Sequence, residues 1–213
     1  SSTAPDYITR DNRLAGDVDD RKATLGRVLF YDKQLSLNNS IACGSCHIQS
    51  HAFGDTAQQS VGLDGGLTSR QSMRLVNTRF AALPAMFWDR RAINLRNQVT
   101  QPIEDHIEMG FSGSGDQPGL DSLLGKLQGL PYYSELFDWA FEQEGVTINK
   151  QRLAQALEHF VSSIESFDSR FDEGFAAAGD IQGQYSNFTP EENRGKFLFR
   201  APAQLNNQNV RTA

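Results

Sequence analysis

Apolar side chains along this 213-residue chain recur mainly at helical spacing. Leu25, Val28 and Leu29 make a stripe that starts near residue 21 and stops near Tyr31 and Asp32. The polar segment before it, up to about Asp20, is expected to wrap the surface, and residues 35–39 are expected to loop. Residues 51–70 are rich in Gly, Ser, Thr and Asp, with Gly62, Gly65 and Gly66 close together. That composition predicts a long irregular loop, and such loops in compact domains often carry function. Residues 91–101 predict a short helix stopped at Pro102, because proline lacks the N–H donor and crowds the preceding turn. Glu108, Met109 and Gly110 then fall in a loop or turn. Residues 121–128 and 132–143 predict two helices joined by Gly129, Leu130 and Pro131. The strongest helix spans 149–167, where Leu153, Ala156, Leu157, Phe160, Val161, Ile164 and Phe167 share a face. Residues 176–186, rich in Gly, Ala and Gln, read as a linker. Beyond it Thr189 as N-cap, Pro190 in the first turn and the acids Glu191 and Glu192 open another helix. No stretch alternates convincingly for a strand, so the expected fold is mostly α with long loops.

Composition narrows the class. Apolar residues make up 38% and charged residues 22%, enough for an ordinary packed core. The net charge of −6 argues against a nucleic-acid partner and leaves a basic protein partner open. No run approaches the ~18 apolar residues that a membrane span needs. Ser1 to Pro5 is polar and reads as a mature N-terminus.

The chemistry concentrates at Cys43-Gly44-Ser45-Cys46-His47, the C-x-x-C-H pattern of covalent c-type haem attachment. Two thiols two residues apart can each add to a haem vinyl group. The next residue, His47, then lies under the ring and offers an imidazole nitrogen to the iron. The competing readings are a redox dithiol, a structural disulfide or half a zinc site. A thioredoxin-type pair wants a βαβ setting, and zinc wants a second pair of ligands at matching spacing. Neither surrounds the only two cysteines of the chain. Haem c is assembled outside the cytoplasm in bacteria, so a cleaved secretory signal and a periplasmic location are expected.

The segment Gly26-Arg27-Val28-Leu29-Phe30 ahead of this motif has an echo in Gly195-Lys196-Phe197-Leu198-Phe199. The chain stops about where a second haem motif would begin.

Taken jointly, residues 25–32, the haem motif, Ala52-Phe53-Gly54-Asp55, residues 87–92, Leu95, Gln98, Pro102-Ile103 and Glu108-Met109-Gly110 resemble the N-terminal half of bacterial di-haem cytochrome c peroxidases. The wider family includes the enzyme that matures tryptophan tryptophylquinone. The resemblance covers roughly residues 21–200. It implies a cytochrome c-like peroxidatic haem domain over 1–175, a linker over 176–188, and over 189–213 the start of a second cytochrome c-like domain, truncated before its haem motif. One haem c is expected in this chain and a second in the full-length protein. The activity implied is reduction of hydrogen peroxide to water with electrons from a small cytochrome c or cupredoxin. His47 matches the proximal iron ligand. Glu108 matches the glutamate that serves as acid/base on peroxide, and O–O heterolysis needs a group that moves a proton from one oxygen to the other. Desolvation in a haem pocket would raise its pKa toward useful values. Gln98 matches a glutamine lining the same pocket, and Trp88 the tryptophan placed between the two haems as an electron relay. The resemblance also leaves room for a calcium ion and for a homodimer.

The sequence departs from the family at several places. Many relatives carry a histidine on the loop after the haem motif that ligates the resting iron and is released on reduction of the other haem. The matching position here is Leu63, which cannot bind iron. An iron open at its sixth position is therefore expected. His51, His106, Met73, Met86 and Met109 are the other candidate ligands, and His159 reads as a packed or surface residue. Gln71 stands where the family often has a calcium-binding asparagine, and offers the same carbonyl on a longer arm. Arg90 replaces a usual glycine. Two other functions compete: a di-haem maturation enzyme that oxidises aromatic residues of a partner protein, and a mono-haem electron-transfer cytochrome with a methionine ligand.

Overall fold

The computed structural model describes residues 4–12, 16–142 and 147–200, together with the backbone of 204–205 and 211–212. Its elements are the helices α1 (Asp20–Tyr31), α2 (Cys43–Cys46), α3 (Leu95–Gln98), α4 (Leu120–Gln128), α5 (Pro131–Ala140), α6 (Lys150–Ser162), α7 (Arg170–Ala178) and α8 (Pro190–Arg200). Short 3-10 turns interrupt the loops, and two two-residue strands, β1 (Gln204–Leu205) and β2 (Arg211–Thr212), pair antiparallel. The chain separates into two compact units, one over 10–165 and one that joins residues 2–9 to 166–213.

In the first unit α1 lies against α6. Asp19 caps α1 by accepting the N–H groups of Arg21 and Lys22, and Asn149 caps α6 by accepting that of Arg152. Leu25, Leu29 and Phe30 of α1 meet Leu153, Ala156, Leu157 and Phe160 of α6 in a single buried cluster. Each large side chain withdrawn this far contributes roughly 1.5–3 kcal/mol. The two helices approach closely at Gly26, where a Cβ would lie 1.9 Å from the Ala156 carbonyl oxygen. Helices α4 and α5 close the cluster with Leu123, Leu127, Tyr133 and Phe137. Pro131 is the first residue of α5 rather than part of the connection before it.

Two expected helix boundaries need correction. The helix expected over 91–101 is only α3, because Ala92 pairs with Met86 and the Asn94 side chain caps the turn at Asn97. The long helix stops at Ser162 rather than Phe167. There the Ile164 carbonyl accepts the Asn77 N–H, and the Glu165 carboxylate is taken by the buried guanidinium of Arg79. That guanidinium also pairs with Asp11 at 3.0 Å, tying the polar N-terminal segment down. Residue 143, the expected end of the helix now seen as α5, lies outside the described residues.

The second unit changes the reading of residues 176–188. They begin inside α7, which a Ser169–Asp172 capping box opens and Gly179, at φ 65°, closes. Tyr185, in the supposed linker, is buried against Gly174, with the Lys196 ammonium 3.5 Å from its ring centre. Residues 4–9 join this unit through Tyr7, whose ring packs edge-on to Phe171 and Phe175 while its hydroxyl donates to Asp172. Helix α8 opens as expected, with Thr189 donating its N–H to Glu192 at 2.8 Å and accepting that of Glu192 at 3.2 Å. Among the described residues no helix is long and apolar enough to cross a membrane.

Candidate haem site

The C-x-x-C-H motif folds as one helical turn. Ala42 enters extended and donates its N–H to the Ser45 hydroxyl at 3.0 Å, and the His47 N–H reaches the Cys43 carbonyl at 2.9 Å. Gly44 passes directly under the Tyr31 ring, where a Cβ would come within 2.6 Å. Both cysteines are half-buried and unpaired. Burial pushes the Cys43 thiol up to about 12 and raises that of Cys46, so both are held protonated.

The chain then turns back on itself. Ile48 and Gly54 form an antiparallel bridge, with Ala52 and Phe53 between them at φ 55° and 56°. Left-handed backbone at two successive non-glycine residues is costly, and it aims the Phe53 carbonyl at His47. Nδ1 of His47 lies 2.8 Å from that oxygen. A carbonyl can only accept, so Nδ1 carries the proton and the lone pair resides on Nε2. Burial lowers the imidazole pKa against the pull of main-chain groups of Phe53 and Met73, favouring the neutral ligand form.

Glu108 stands in a tight turn that three segments pin. Asp105 Oδ1 accepts the N–H groups of Ile107 and Glu108 at 2.8 and 2.9 Å. Gly110, at φ 89°, donates to the Asp105 carbonyl, while Leu63 donates to the Ile107 carbonyl at 2.7 Å and Leu37 to that of Met109 at 2.9 Å. Burial raises the Glu108 carboxyl to about 6, with Asp105 adding to the shift and Arg91 opposing it. The charge of Glu108 lies within electrostatic reach of the sulfurs of both Cys43 and Cys46. A cleft of about 890 Å³ opens beside Glu108, lined also by Arg91, Ala92, Arg96, Glu104 and Asp105. Two attachment thiols on one turn, a preset imidazole, apolar walls at Phe30 and Phe53 and a desolvated carboxyl fit a covalently held haem c.

The other expected residues fall elsewhere. Gln98 ends α3, half-buried, next to Asn97, which lines the cleft beside Glu108; that cleft is lined by none of Cys43, Cys46 and His47. Trp88 is 59% exposed on the loop between the paired Met86 and Ala92, with Nε1 donating to the Gln71 carbonyl at 2.9 Å. In that loop Arg90 has φ 59°, the conformation glycine adopts most easily. Gln71 turns its amide nitrogen toward the Asp55 and Ala57 carbonyls. Leu63 is buried, its side chain against Gly110. His51 and His106 are exposed, Met109 is core, and His159 accepts the Asp19 N–H through Nδ1 at 3.0 Å. Residue-type reasoning passed over Asp105 and Arg91, although the Asp-x-x-Glu spacing of 105–108 is the signature of a side-chain-stabilised turn.

Comparison with known proteins gives the family and the fold. A family model described as di-haem cytochrome c peroxidase matches residues 20–180. The methylamine utilization protein MauG of Methylophilus methylotrophus is 34% identical over 161 residues, which cover 76% of this chain and 44% of that protein. The cytochrome c551 peroxidase of Pseudomonas aeruginosa is 30% identical over 169 residues, covering 79% and 45%. The chain thus spans about half the length of the curated relatives it matches. Among solved structures, a MauG-like protein associated with microbial copper homeostasis superposes with a TM-score of 0.77 at 28% identity, over 94% of this chain and 55% of that one. A variant of the diheme peroxidase BthA from Burkholderia thailandensis gives 0.69 at 25% identity, over 91% and 50%. The mostly helical, haem-carrying fold expected from the sequence is the fold of these neighbours, and the chain belongs to the di-haem cytochrome c peroxidase family.

Proposed function

We propose that the chain forms the peroxide-reducing haem centre of a di-haem enzyme, with Cys43 and Cys46 attaching haem c and His47 as its proximal ligand. The observation that carries this reading is Glu108, a carboxyl held in a pinned turn, raised to about 6 by burial and within electrostatic reach of the haem-attachment thiols. Bound haem supplies the iron at which peroxide is reduced. The protein's part is proton handling. As carboxylate, Glu108 takes a proton from one oxygen of hydrogen peroxide, and as acid it returns the proton to the other, which leaves as water. Asp105 acts as a positioning residue by fixing the Glu108 main chain. Arg91 works against burial to keep the carboxylate form accessible. The Phe53 carbonyl fixes the His47 tautomer.

Gln98 is assigned to the pocket lining and Trp88 to electron passage between the two haems on the family resemblance. Electrons would come from a small cytochrome c or cupredoxin in the periplasm, a setting that the haem-attachment chemistry supports. The echo of α1 in α8 supports reading residues 189–213 as belonging to a second cytochrome c-like domain. Leu63, buried beside Gly110, offers no ligand from its loop, so peroxide access without prior reduction follows. Leu63 and the identity to MauG also favour a second reading, oxidation of aromatic residues in a partner protein at the same site.

In the haem-loaded protein Glu108→Gln should lower peroxide turnover by about 10²–10⁴ while leaving the ferric absorption spectrum in place. Near-normal turnover in that variant removes the assignment. Slow peroxide turnover combined with modification of a partner's aromatic residues would move the conclusion to the second reading.

A further inference from the structure

Asp32, at the end of α1, gathers hydrogen bonds that the proposed reaction does not use. Its Oδ1 accepts the Gln34 N–H at 2.8 Å, and its Oδ2 accepts two phenols, Tyr133 at 2.7 Å and Tyr132 at 3.0 Å. The two rings stand 4.6 Å apart between centroids and are tilted by 38°. Their settings differ. Tyr133 is fully buried and Tyr132 is 41% exposed. The buried end lies in the core cluster against which Cys43 packs, within electrostatic reach of the Cys43 sulfur. The Lys126 ammonium is also within electrostatic reach of Asp32. One phenol would suffice to tether the start of α5 to the end of α1. Here two adjacent phenols share one carboxylate oxygen, one in the core against which Cys43 packs and one at the surface.

We infer that Tyr133 and Tyr132 form a proton-coupled relay on Asp32, carrying one oxidising equivalent from the core against which Cys43 packs to the surface at Tyr132. The inference rests on the peroxidase reading for its oxidant. With haem attached at Cys43 and Cys46 and oxidised by peroxide, Tyr133 would supply one electron to it and pass its phenolic proton to Asp32 Oδ2. The phenoxyl so formed takes an electron from Tyr132 and its proton back from Asp32, and the proton of Tyr132 passes to the same oxygen. An outer one-electron donor then reduces the Tyr132 phenoxyl, which recovers its proton. The sum is one electron moved from donor to haem, with no net proton uptake by the relay. A phenol gives up its electron readily only when a base holds its proton, and a shared carboxylate serves both rings in turn.

The test is freeze-quench EPR of the haem-loaded full chain after one equivalent of hydrogen peroxide, without added donor. A tyrosyl signal is expected in the wild type, reduced at least tenfold in Tyr133→Phe. In Tyr132→Phe, an exposed and conservative change, the signal should outlive that of the wild type because the buried radical has lost its exit. Peptide mapping should find oxidative products at Tyr132. Peroxide consumed without a tyrosyl signal, or an equal signal in the Tyr132→Phe/Tyr133→Phe double variant, overturns the relay. A haem spectrum that ignores peroxide would overturn the peroxidase reading instead. The relay is then tested by flash-oxidised ruthenium tris-bipyridine as surface oxidant on the ferrous protein. Haem oxidation should be at least tenfold slower in Tyr133→Phe than in the wild type, and equal rates overturn the relay.

Discussion

At Glu108, burial and neighbouring charge pull in opposite directions, and burial prevails: the carboxyl is raised from 4.5 to about 6. A carboxyl raised on folding stabilises the fold fully below its unfolded pKa, and that contribution is lost as pH rises through 6. The shift corresponds to at most about 2 kcal/mol, less where water reaches the group. Denaturant unfolding at several pH values should therefore show Glu108→Gln gaining on the wild type between pH of about 4.5 and 6 and holding that gain above. An unchanging difference between the two proteins would mean that the carboxyl is solvated. Turnover that needs the carboxylate should rise through the same interval. The type of this residue and its place in Pro102-x5-Glu108 were legible in the chain. Its desolvation was not, because that comes from loops at 35–39 and 62–66 closing over the turn. Arg90 is similar. Its substitution for a usual glycine stands out in the sequence, but the left-handed backbone that makes it costly appears only in the folded loop.

Element by element, the α1–α6 contact sets the position of everything around the haem motif. Gly26→Ala places a methyl against the Ala156 carbonyl and the Phe160 Cβ, and backbone cannot yield as a side chain end would. A loss of about 1–3 kcal/mol is expected from forced repacking, read as a lower denaturation midpoint. Because Phe30 and Tyr31 ride on α1 beside Gly44, haem incorporation should fall too. Unchanged stability would show that the helices slide apart without cost. The stripes and caps of α1, α4 and α6 were readable because each helix buries one face against a neighbour. The end of α6 was not. Ile164 and Phe167 continue the stripe, yet pairing of Asn77 with the 164 carbonyl and of Arg79 with Glu165 draws the chain out of the helix.

In the molecule as a whole, residues 2–9 belong with the C-terminal unit, a partition that no local pattern announces. Tyr7 is the anchor, through two edge-on aromatic contacts and a hydrogen bond to Asp172. Tyr7→Ala should lower the stability of that unit by about 2–3 kcal/mol from lost aromatic packing and the lost hydrogen bond to Asp172. Faster amide exchange over 170–178 with an unaltered haem spectrum is the expected signature. Equal exchange in the variant would show that the N-terminal segment contributes nothing to the unit.

By itself the sequence determined the mostly helical class, the family and the covalent haem c that goes with it. These depend on residue types at short fixed spacings, which covalent geometry and helical periodicity make local. Only the tertiary structure decided which distant groups share a space. It pinned the turn of Glu108 under two loops and bonded the Trp88 indole to the Gln71 carbonyl. It packed the supposed linker around Tyr185, and it brought two tyrosines of α5 onto one carboxylate at the end of α1. Such meetings follow from long-range packing, where burial of faces from many segments is satisfied at once, and no single window of sequence contains that condition.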